Sequence, residues 1–302
     1  MMRNKKDGGI FMESRTGGII NTLDFKKPGV KIVYWIFFAI MILVALVCFV
    51  PPLWLILSSL KDIKEFYAIP PTLIPKTFDI GKIRQVWTDY DFLLYYINTF
   101  GVTAGSLFFS LVFNAALGYF LSKLKPKGSA VIFSLILWSM MLPNTVGMVP
   151  VFKNIIDFPV LHVNFTNTFW PMWMMAGASA FNVIIFKGFF DGIPQSLVEA
   201  ARIDGASNFG IFYKIILPLS RPVLMTIAIF TVNGTWADWF WPYMVLKDKS
   251  VQTIMVAIFN MRSASMDIQF VGLSLAIVPP VLLFLFFQKY IMQGFTLSGI
   301  KG

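Results

Sequence analysis

The sequence predicts an all-α polytopic membrane protein with six transmembrane helices and with both termini in the cytoplasm. Of its 302 residues, 57% are hydrophobic and only 13% are charged, which is typical of membrane-embedded chains and rare in soluble domains. Six apolar segments are each long enough to cross a bilayer core, which takes about 20 helical residues. The basic residues between these segments are distributed unevenly, and this asymmetry sets the orientation.

The chain begins with a polar tail, residues 1–31, which contains seven Lys or Arg residues and two Gly-Gly pairs. No small-residue cleavage site follows a short apolar core, so we do not interpret it as a signal peptide. A transmembrane domain is expected over residues 32–293, followed by a cytoplasmic tail at 294–302. The predicted spans are residues 32–60, 93–124, 130–149, 169–189, 222–245 and 270–291.

Proline and small residues mark irregular points within the predicted spans. Pro51-Pro52 should kink the first span or end its regular part, and Pro143 should interrupt the third, which Pro150 would close. Small residues at 177–180 lie in the middle of the fourth span, where they allow helices to pack closely. The polar connection after the first span permits a short amphipathic helix around residues 83–87.

The orientation follows from counting basic residues. With six spans, both termini and the second and fourth connections share one side, which holds 16 of the 25 Lys and Arg residues. Essentially all of the net charge of +10 lies on that side. Basic residues are enriched in cytoplasmic connections, so this side is predicted to be cytoplasmic. The excess of basic over acidic residues is therefore explained without a nucleic-acid partner, and we expect none.

A small folded unit is predicted in the cytoplasmic connection between the fourth and fifth spans, residues 191–218. We call this connection the Glu199 loop. Pro194 suits the first turn of a short helix. Gly205 is a plausible helix stop, and Ser207 could cap a second short helix. Ala200 and Ala201 carry minimal side chains, so another surface could approach this backbone closely. The loop suits docking into a cleft on a partner protein; the alternative is an amphipathic juxtamembrane turn without a partner.

The spacing in this loop is Glu-Ala-Ala, three residues, Gly, nine residues, Ile, one residue and Leu-Pro, over residues 199–218. It resembles the "EAA" motif of permease subunits of bacterial ATP-binding-cassette (ABC) importers. The resemblance implies an ABC importer permease fold in which this loop is the coupling helix, seated in a groove of a cytoplasmic ATPase. The residues expected to dock on that ATPase are Glu199, Ala200, Ala201, Asp204, Gly205, Ala206, Ile215, Leu217 and Pro218.

The chain itself is not expected to be an enzyme. It contains no Gly-x-x-x-x-Gly-Lys-Ser/Thr phosphate loop and no recognisable set of nucleophile, base and acid. One Cys and one His give no metal-binding pattern. We therefore expect no metal and no bound cofactor, and ATP and Mg²⁺ would be used by the partner ATPase.

Candidate substrate-pathway residues are Asp238, Trp236, Trp239, Asn182 and Asn233. Asp238 is the one acid within the predicted spans, and an intramembrane charge suggests function, although an interfacial carboxylate is an equal alternative. The tryptophans could stack on sugar rings or form an interfacial aromatic belt. The asparagines could line a polar path or join helices by hydrogen bonds.

The segment at 236–242 resembles the Trp-Asn-Asp/Glu-Phe-x-Trp-Pro stretch of sugar-importer permeases, although Ala237 replaces the usual Asn. With the closing Gly-x-Thr-x-x-Gly-x-Lys-Gly at 294–302, it resembles the maltose-type branch. That branch implies oligosaccharide import across the bacterial cell membrane, with a second homologous permease, two copies of the ATPase and an extracytoplasmic solute-binding protein as partners. The alternatives are a permease for glycerol phosphate or a lipoprotein-linked peptide, and a non-transporting membrane sensor or scaffold.

Overall fold

All regular elements in the described residues, 28–70 and 72–298 of a computed structural model, are helical. The predicted tail at 1–31 falls mostly outside these residues, as do residues 299–302. The helices are α1 (Pro28–Ser58), α2 (Ile63–Phe66), α3 (Gly81–Asp89), α4 (Phe92–Leu124), α5 (Ser129–Met141), α6 (Asn144–Ile156), α7 (Trp170–Gly177), α8 (Ala180–Asp191), α9 (Gln195–Ile203), α10 (Asn208–Leu219), α11 (Arg221–Ala237), α12 (Phe240–Val245), α13 (Ile254–Asn260) and α14 (Met266–Ser298).

The described residues contain four to six candidate membrane spans. Four segments are long and apolar enough to cross a bilayer by themselves: Pro28–Ser58, Phe92–Leu124, Trp170–Asp191 and Met266–Gln288. Two further pairs qualify only if each bent pair is one span: α5 with α6 bends by 110°, and α10 with α11 bends by 81°. A membrane-spanning helical fold is thus confirmed, whereas a count of six remains a prediction.

The chain divides into two units, Met1–Leu55 and Ile56–Gly302. In the first, the described part is the body of α1, which is strongly apolar, with a mean hydropathy of 2.9 over its most apolar window. The helix continues past Pro51-Pro52 to Ser58, so these prolines do not end it. Flanking turns hold a long helix together around a proline, since only local hydrogen bonds are lost.

Two other predicted boundaries differ from the structure. The break at Pro143 is confirmed, but the closure at Pro150 is wrong because Pro150 lies inside α6. The fourth span agrees with the segment Trp170–Asp191, but its helix is interrupted between α7 and α8, where the Ser179 hydroxyl accepts the N–H of Asn182 and starts a new helix. The fifth span ends as a regular helix at Ala237, before α12. The amphipathic helix near 83–87 is confirmed as α3.

Helix α4 is the central element of the second unit and packs along α7, α8 and α11. It contains two π-turns, Ser110–Asn114 and Phe120–Leu124, which are frequent at functional positions. A Cβ placed on Gly118 would lie 2.7 Å from Cβ of Phe186 and 3.2 Å from the backbone N of Lys187. Glycine at this position therefore allows α4 and α8 to approach more closely than any side chain would permit.

Three clusters of buried apolar side chains hold this unit together. The first surrounds the Glu199 loop and is built around Phe186 and Phe190 of α8. The second, at the opposite end of α4, includes Phe92 and Trp236. The third joins α4, α6 and α7 to the end of α12 through residues such as Val102. The ends of α4 are thus packed against different partners, with the Glu199 loop at one end only.

Candidate functional site

The Glu199 loop folds as a helix–turn–helix, as its sequence predicts. Helix α9 ends at Ile203 with Asp204 as its C-cap, and Gly205 follows with a φ of +79°. The N–H of Ala206 donates to the carbonyl of Ala201 at 2.9 Å, and the N–H of Gly205 donates to Arg202 at 3.0 Å, which together form a Schellman motif. The Ser207 hydroxyl then accepts the Gly210 N–H at 3.1 Å and caps α10.

The two faces of this loop differ sharply in exposure. Val198 and Ile211 are completely buried, and Ala201 is 7% exposed, all within the cluster around Phe186. The small size of Ala201 therefore serves packing within the chain. Glu199 and its neighbours on the rim face outward, and the exposed members of the predicted set are Glu199, Ala200, Asp204, Gly205 and Pro218.

The remaining predicted docking residues lie partly inside the chain. Ala206, Ile215 and Leu217 are half-buried and pack against the same apolar cluster. The motif thus combines residues that shape the loop with residues that form its outer rim. Any partner would meet the rim, where Glu199 and Asp204 place two carboxylates around the Gly205 turn.

A set of polar contacts between α4 and the loop was not predicted. Tyr119 donates its hydroxyl to the carbonyl of Asn208 at 3.3 Å. Ser122 Oγ donates to Asp191 Oδ1 at 2.7 Å, and Lys123 Nζ donates to the carbonyl of Ile193 at 2.5 Å. From the sequence alone, Lys123 counts only as a cytoplasmic charge, because the partner carbonyl becomes visible only in the folded chain.

A second polar cluster lies at the break between α7 and α8. Asn114, which is fully buried, donates to the carbonyl of Ala176 at 2.9 Å and accepts the Ser179 N–H at 3.1 Å. Asn182 donates to Ser110 Oγ at 3.1 Å. Asn182 thus makes an interhelical hydrogen bond of the kind the alternative describes, and its place in the substrate pathway stays a prediction.

A cavity of about 510 Å³ opens between α4, α7, α11 and α12. Its lining contains Asp238 and Trp239 from the predicted set, together with Val102, Met172, Met175, Ala176, Gly234, Thr235, Ala237, Trp241 and Pro242. Asp238 Oδ1 accepts the N–H of Phe240 at 3.0 Å and of Trp241 at 3.3 Å, which orients the start of α12. We call this space the Asp238 cavity.

Trp236 and Asn233, also predicted pathway residues, are not among the lining residues of the cavity. Trp236 of α11 is only 5% exposed and donates its indole N–H to the carbonyl of Ala276 at 3.1 Å, so it packs against α14. Asn233 is exposed on α11 and is not among the lining residues. Trp239 stacks on Phe259 with ring centroids 4.8 Å apart, which extends an aromatic surface from the cavity wall.

Comparison with known proteins identifies the class. Residues 114–296 match the family model described as "Binding-protein-dependent transport system inner membrane component". This match covers more than half of the chain, so the protein belongs to that family and is an integral membrane permease component. The matched residues include α4 from Asn114 onward, the whole Glu199 loop and the Asp238–Pro242 wall of the cavity.

Individual relatives extend the similarity to nearly the whole chain. The chain is 30% identical over 283 residues to the arabinooligosaccharides transport system permease protein AraQ of Halalkalibacterium halodurans, covering 92% of this chain and 100% of that protein. It is 29% identical over 268 residues to the melibiose/raffinose/stachyose import permease protein MelC of Bacillus subtilis, covering 86% and 94%.

A solved structure shows the same fold. A chain of a bacterial ABC transporter involved in the import of the acidic polysaccharide alginate superposes with a TM-score of 0.75. The two chains share 24% sequence identity, and the superposition covers 88% of this chain and 99% of the other.

Proposed function

We propose that this protein is the transmembrane permease subunit of an ATP-driven, binding-protein-dependent importer of oligosaccharides in the bacterial cell membrane. In this proposal it forms half of the translocation pathway, and the Glu199 loop couples it to a cytoplasmic ATPase. The observation that supports coupling most directly is the folded helix–turn–helix of this loop, with its Glu199 and Asp204 rim exposed.

The geometry of the loop suits the transmission of movement. Its buried face is continuous with the apolar core around Phe186, so the loop and the adjoining ends of α4, α8 and α11 form one packed body. A partner that displaced the rim would displace that body as well. The two carboxylates suit a groove on the ATPase that contains basic residues, because a charge pair contributes most when docking removes it from water.

Carbohydrate is the proposed cargo because the relatives AraQ and MelC are permeases for saccharides. The Asp238 cavity has suitable chemistry, since Trp239 and Trp241 offer aromatic faces and Asp238 offers a hydrogen-bond acceptor. The cavity is about 510 Å³, within the range of sites that enclose small ligands.

The proposed assembly contains six spans from this chain, with both termini cytoplasmic, a second homologous permease, two ATPase copies and an extracytoplasmic solute-binding protein. One Glu199 loop per chain would engage one ATPase copy, so two permeases are needed for two ATPases. ATP and Mg²⁺ bind the ATPase and not this chain.

The decisive experiment is transport by the complete importer in proteoliposomes. We expect ATP-dependent uptake of a labelled oligosaccharide delivered by the solute-binding protein, and an increased KM for Trp239→Ala with little change in ATPase activity. Selective uptake of glycerol phosphate would identify the other cargo. ATPase regulation without accumulation of any solute would instead identify a sensor or scaffold.

A further inference from the structure

The C-terminal end of α4 forms hydrogen bonds to the Glu199 loop, although the two segments are not adjacent in the chain. Tyr119, Ser122 and Lys123 stand at positions i, i+3 and i+4, which places them on one face of the helix. Their acceptors are the carbonyl of Asn208, the carboxylate of Asp191 and the carbonyl of Ile193. These acceptors lie at the start of the loop and at the start of its second helix, so both ends of α9 are flanked by contacts to α4.

The three donors are deeply buried. Tyr119 is 4% exposed, Ser122 is 1% exposed and Lys123 is 6% exposed. An ammonium group that only marked the cytoplasmic side would extend into water, because its long side chain allows it. Lys123 instead points into the protein and donates to a backbone carbonyl. Burial of this charge is unfavourable unless the hydrogen bond is kept, so the contact is specific.

Helix α4 connects the loop to the cavity. The loop is joined through the backbone to α8 and to α11, and α4 has no such link to it. At its other half, α4 contributes Val102 to the wall of the Asp238 cavity. Between these points Asn114 bonds to the carbonyl of Ala176 on α7, a helix that also lines the cavity.

We propose that Tyr119, Ser122 and Lys123 form a clamp through which movement of the Glu199 loop is passed to α4 and thereby to the wall of the Asp238 cavity. They are positioning residues that bond to two backbone carbonyls and one carboxylate of the loop and contact neither ATPase nor substrate. This inference rests on the proposed function, because it assumes that an ATPase moves the loop.

Apolar packing alone would not fix the direction of this transmission. The cluster around Phe186 keeps the loop and α4 in one packed body, but apolar contacts are non-directional and give the loop no specific partner atoms along the helix. Hydrogen bonds to the carbonyls of Ile193 and Asn208 fix the position of the loop along and around α4. Loss of the clamp should therefore leave assembly largely intact while weakening the link between ATP hydrolysis and uptake.

The test uses the complete importer in proteoliposomes and measures substrate taken up per ATP hydrolysed. Lys123→Met should lower this ratio by about tenfold, the effect expected when one charge-assisted hydrogen bond is lost from the transmitting contact. Lys123→Arg should restore part of it, because a guanidinium can donate to the same carbonyl. Lys127→Met is the matched control, since Lys127 is an exposed lysine on the same connection.

Ser122→Ala provides a second, milder variant if Lys123→Met lowers assembly, because it removes only a hydroxyl. A normal ratio in assembled Lys123→Met and Ser122→Ala complexes would overturn the clamp. So would a parallel loss of uptake and ATPase activity at a constant ratio. A wild-type complex that hydrolyses ATP without accumulating substrate would refute the proposed function instead, so the two failures are distinguishable.

Discussion

Ala206 donates its backbone N–H to the carbonyl of Ala201 at 2.9 Å, across a turn in which Gly205 adopts a φ of +79°. This bond closes the corner between α9 and α10 and so fixes the angle between the two helices. That angle sets the position of the exposed rim relative to the buried face. The corner needs a left-handed residue between its two helices, and glycine adopts that conformation without steric cost.

Gly205→Val should strain this corner and impair coupling. A side chain in the left-handed region costs about 1–2 kcal/mol because its Cβ crowds the residue's own backbone, and no other residue has an atom within 4 Å of the added Cβ. We expect an inserted, assembled protein with less uptake per ATP hydrolysed. Gly205→Asn is the matched control, because asparagine tolerates this conformation and should retain most coupling.

Glu199→Arg should affect coupling without affecting the stability of the chain. Glu199 is exposed, and its charge gains importance only if docking removes it from water. We expect unchanged thermal unfolding in detergent but weaker ATPase binding and at least about tenfold lower ATP-dependent uptake, as for a charge reversal at a docked interface. Lys127→Glu reverses a charge on a neighbouring connection and should change uptake much less; equal losses in both variants would contradict the assigned role.

Gly118→Ala should separate α4 from α8. The added Cβ would lie 2.7 Å from Cβ of Phe186 and 3.2 Å from the backbone N of Lys187, so the helices must shift, at a cost of about 1–3 kcal/mol. We expect a lower thermal unfolding midpoint in detergent. Gly188→Ala on α8 meets no atom within 4 Å and should be neutral or slightly stabilising, since alanine is the better helix former.

Asn114→Leu should destabilise the break between α7 and α8. The change leaves the carbonyl of Ala176 and the N–H of Ser179 without this partner, and each unsatisfied buried group costs about 1–3 kcal/mol. Asn182→Ala removes a single donor to Ser110 Oγ and should cost less, about 0.6 kcal/mol as for an average hydrogen bond between membrane helices. Thermal unfolding of both purified variants would reveal the order, and equal losses would contradict it.

The connection after α1 should loosen in acid. Backbone hydrogen bonding from Lys76, aided by Thr72 and Thr77, lowers the pKa of Glu65 from its ordinary value of 4.5. Because the folded-state pKa is the lower one, the stabilisation is present above pH 4.5 and is lost as pH falls through the folded-state pKa. Limited proteolysis of this connection should become faster as the pH falls through the folded-state pKa of Glu65. The Glu65→Gln variant should be cleaved at a rate that depends less on pH.

The helix–turn–helix of the Glu199 loop was predictable from the sequence because its structure is local. Gly205 and Ser207 determine the turn and the cap through their own backbone and side chain, and neither needs a distant partner. The inward orientation of Ala201 was not predictable from its size, since a small residue suits close approach by a partner and tight packing equally well.

The broken spans and the cavity were less accessible to sequence reasoning. Ala178 and Ser179 continue an apolar segment, and their break depends on Asn114, which is 65 residues away from Ser179 in the chain. Trp236 and Trp239 belong to one aromatic run, yet the turn at Asp238 sends one into the core and the other to the cavity. Such divergence depends on tertiary contacts that a pattern of residue types does not contain.

The two π-turns of α4 have a consequence for how its ends are aligned. Each is in effect one residue inserted into an α-helix, and one residue corresponds to a rotation of about 100°. The angle between Val102 and Lys123 around the helix axis is therefore set by the number of residues that separate them and not by which residues those are. A deletion of one residue within 110–114 would keep a hydrogen-bonded helix but turn one half of it by about a quarter of a circle against the other.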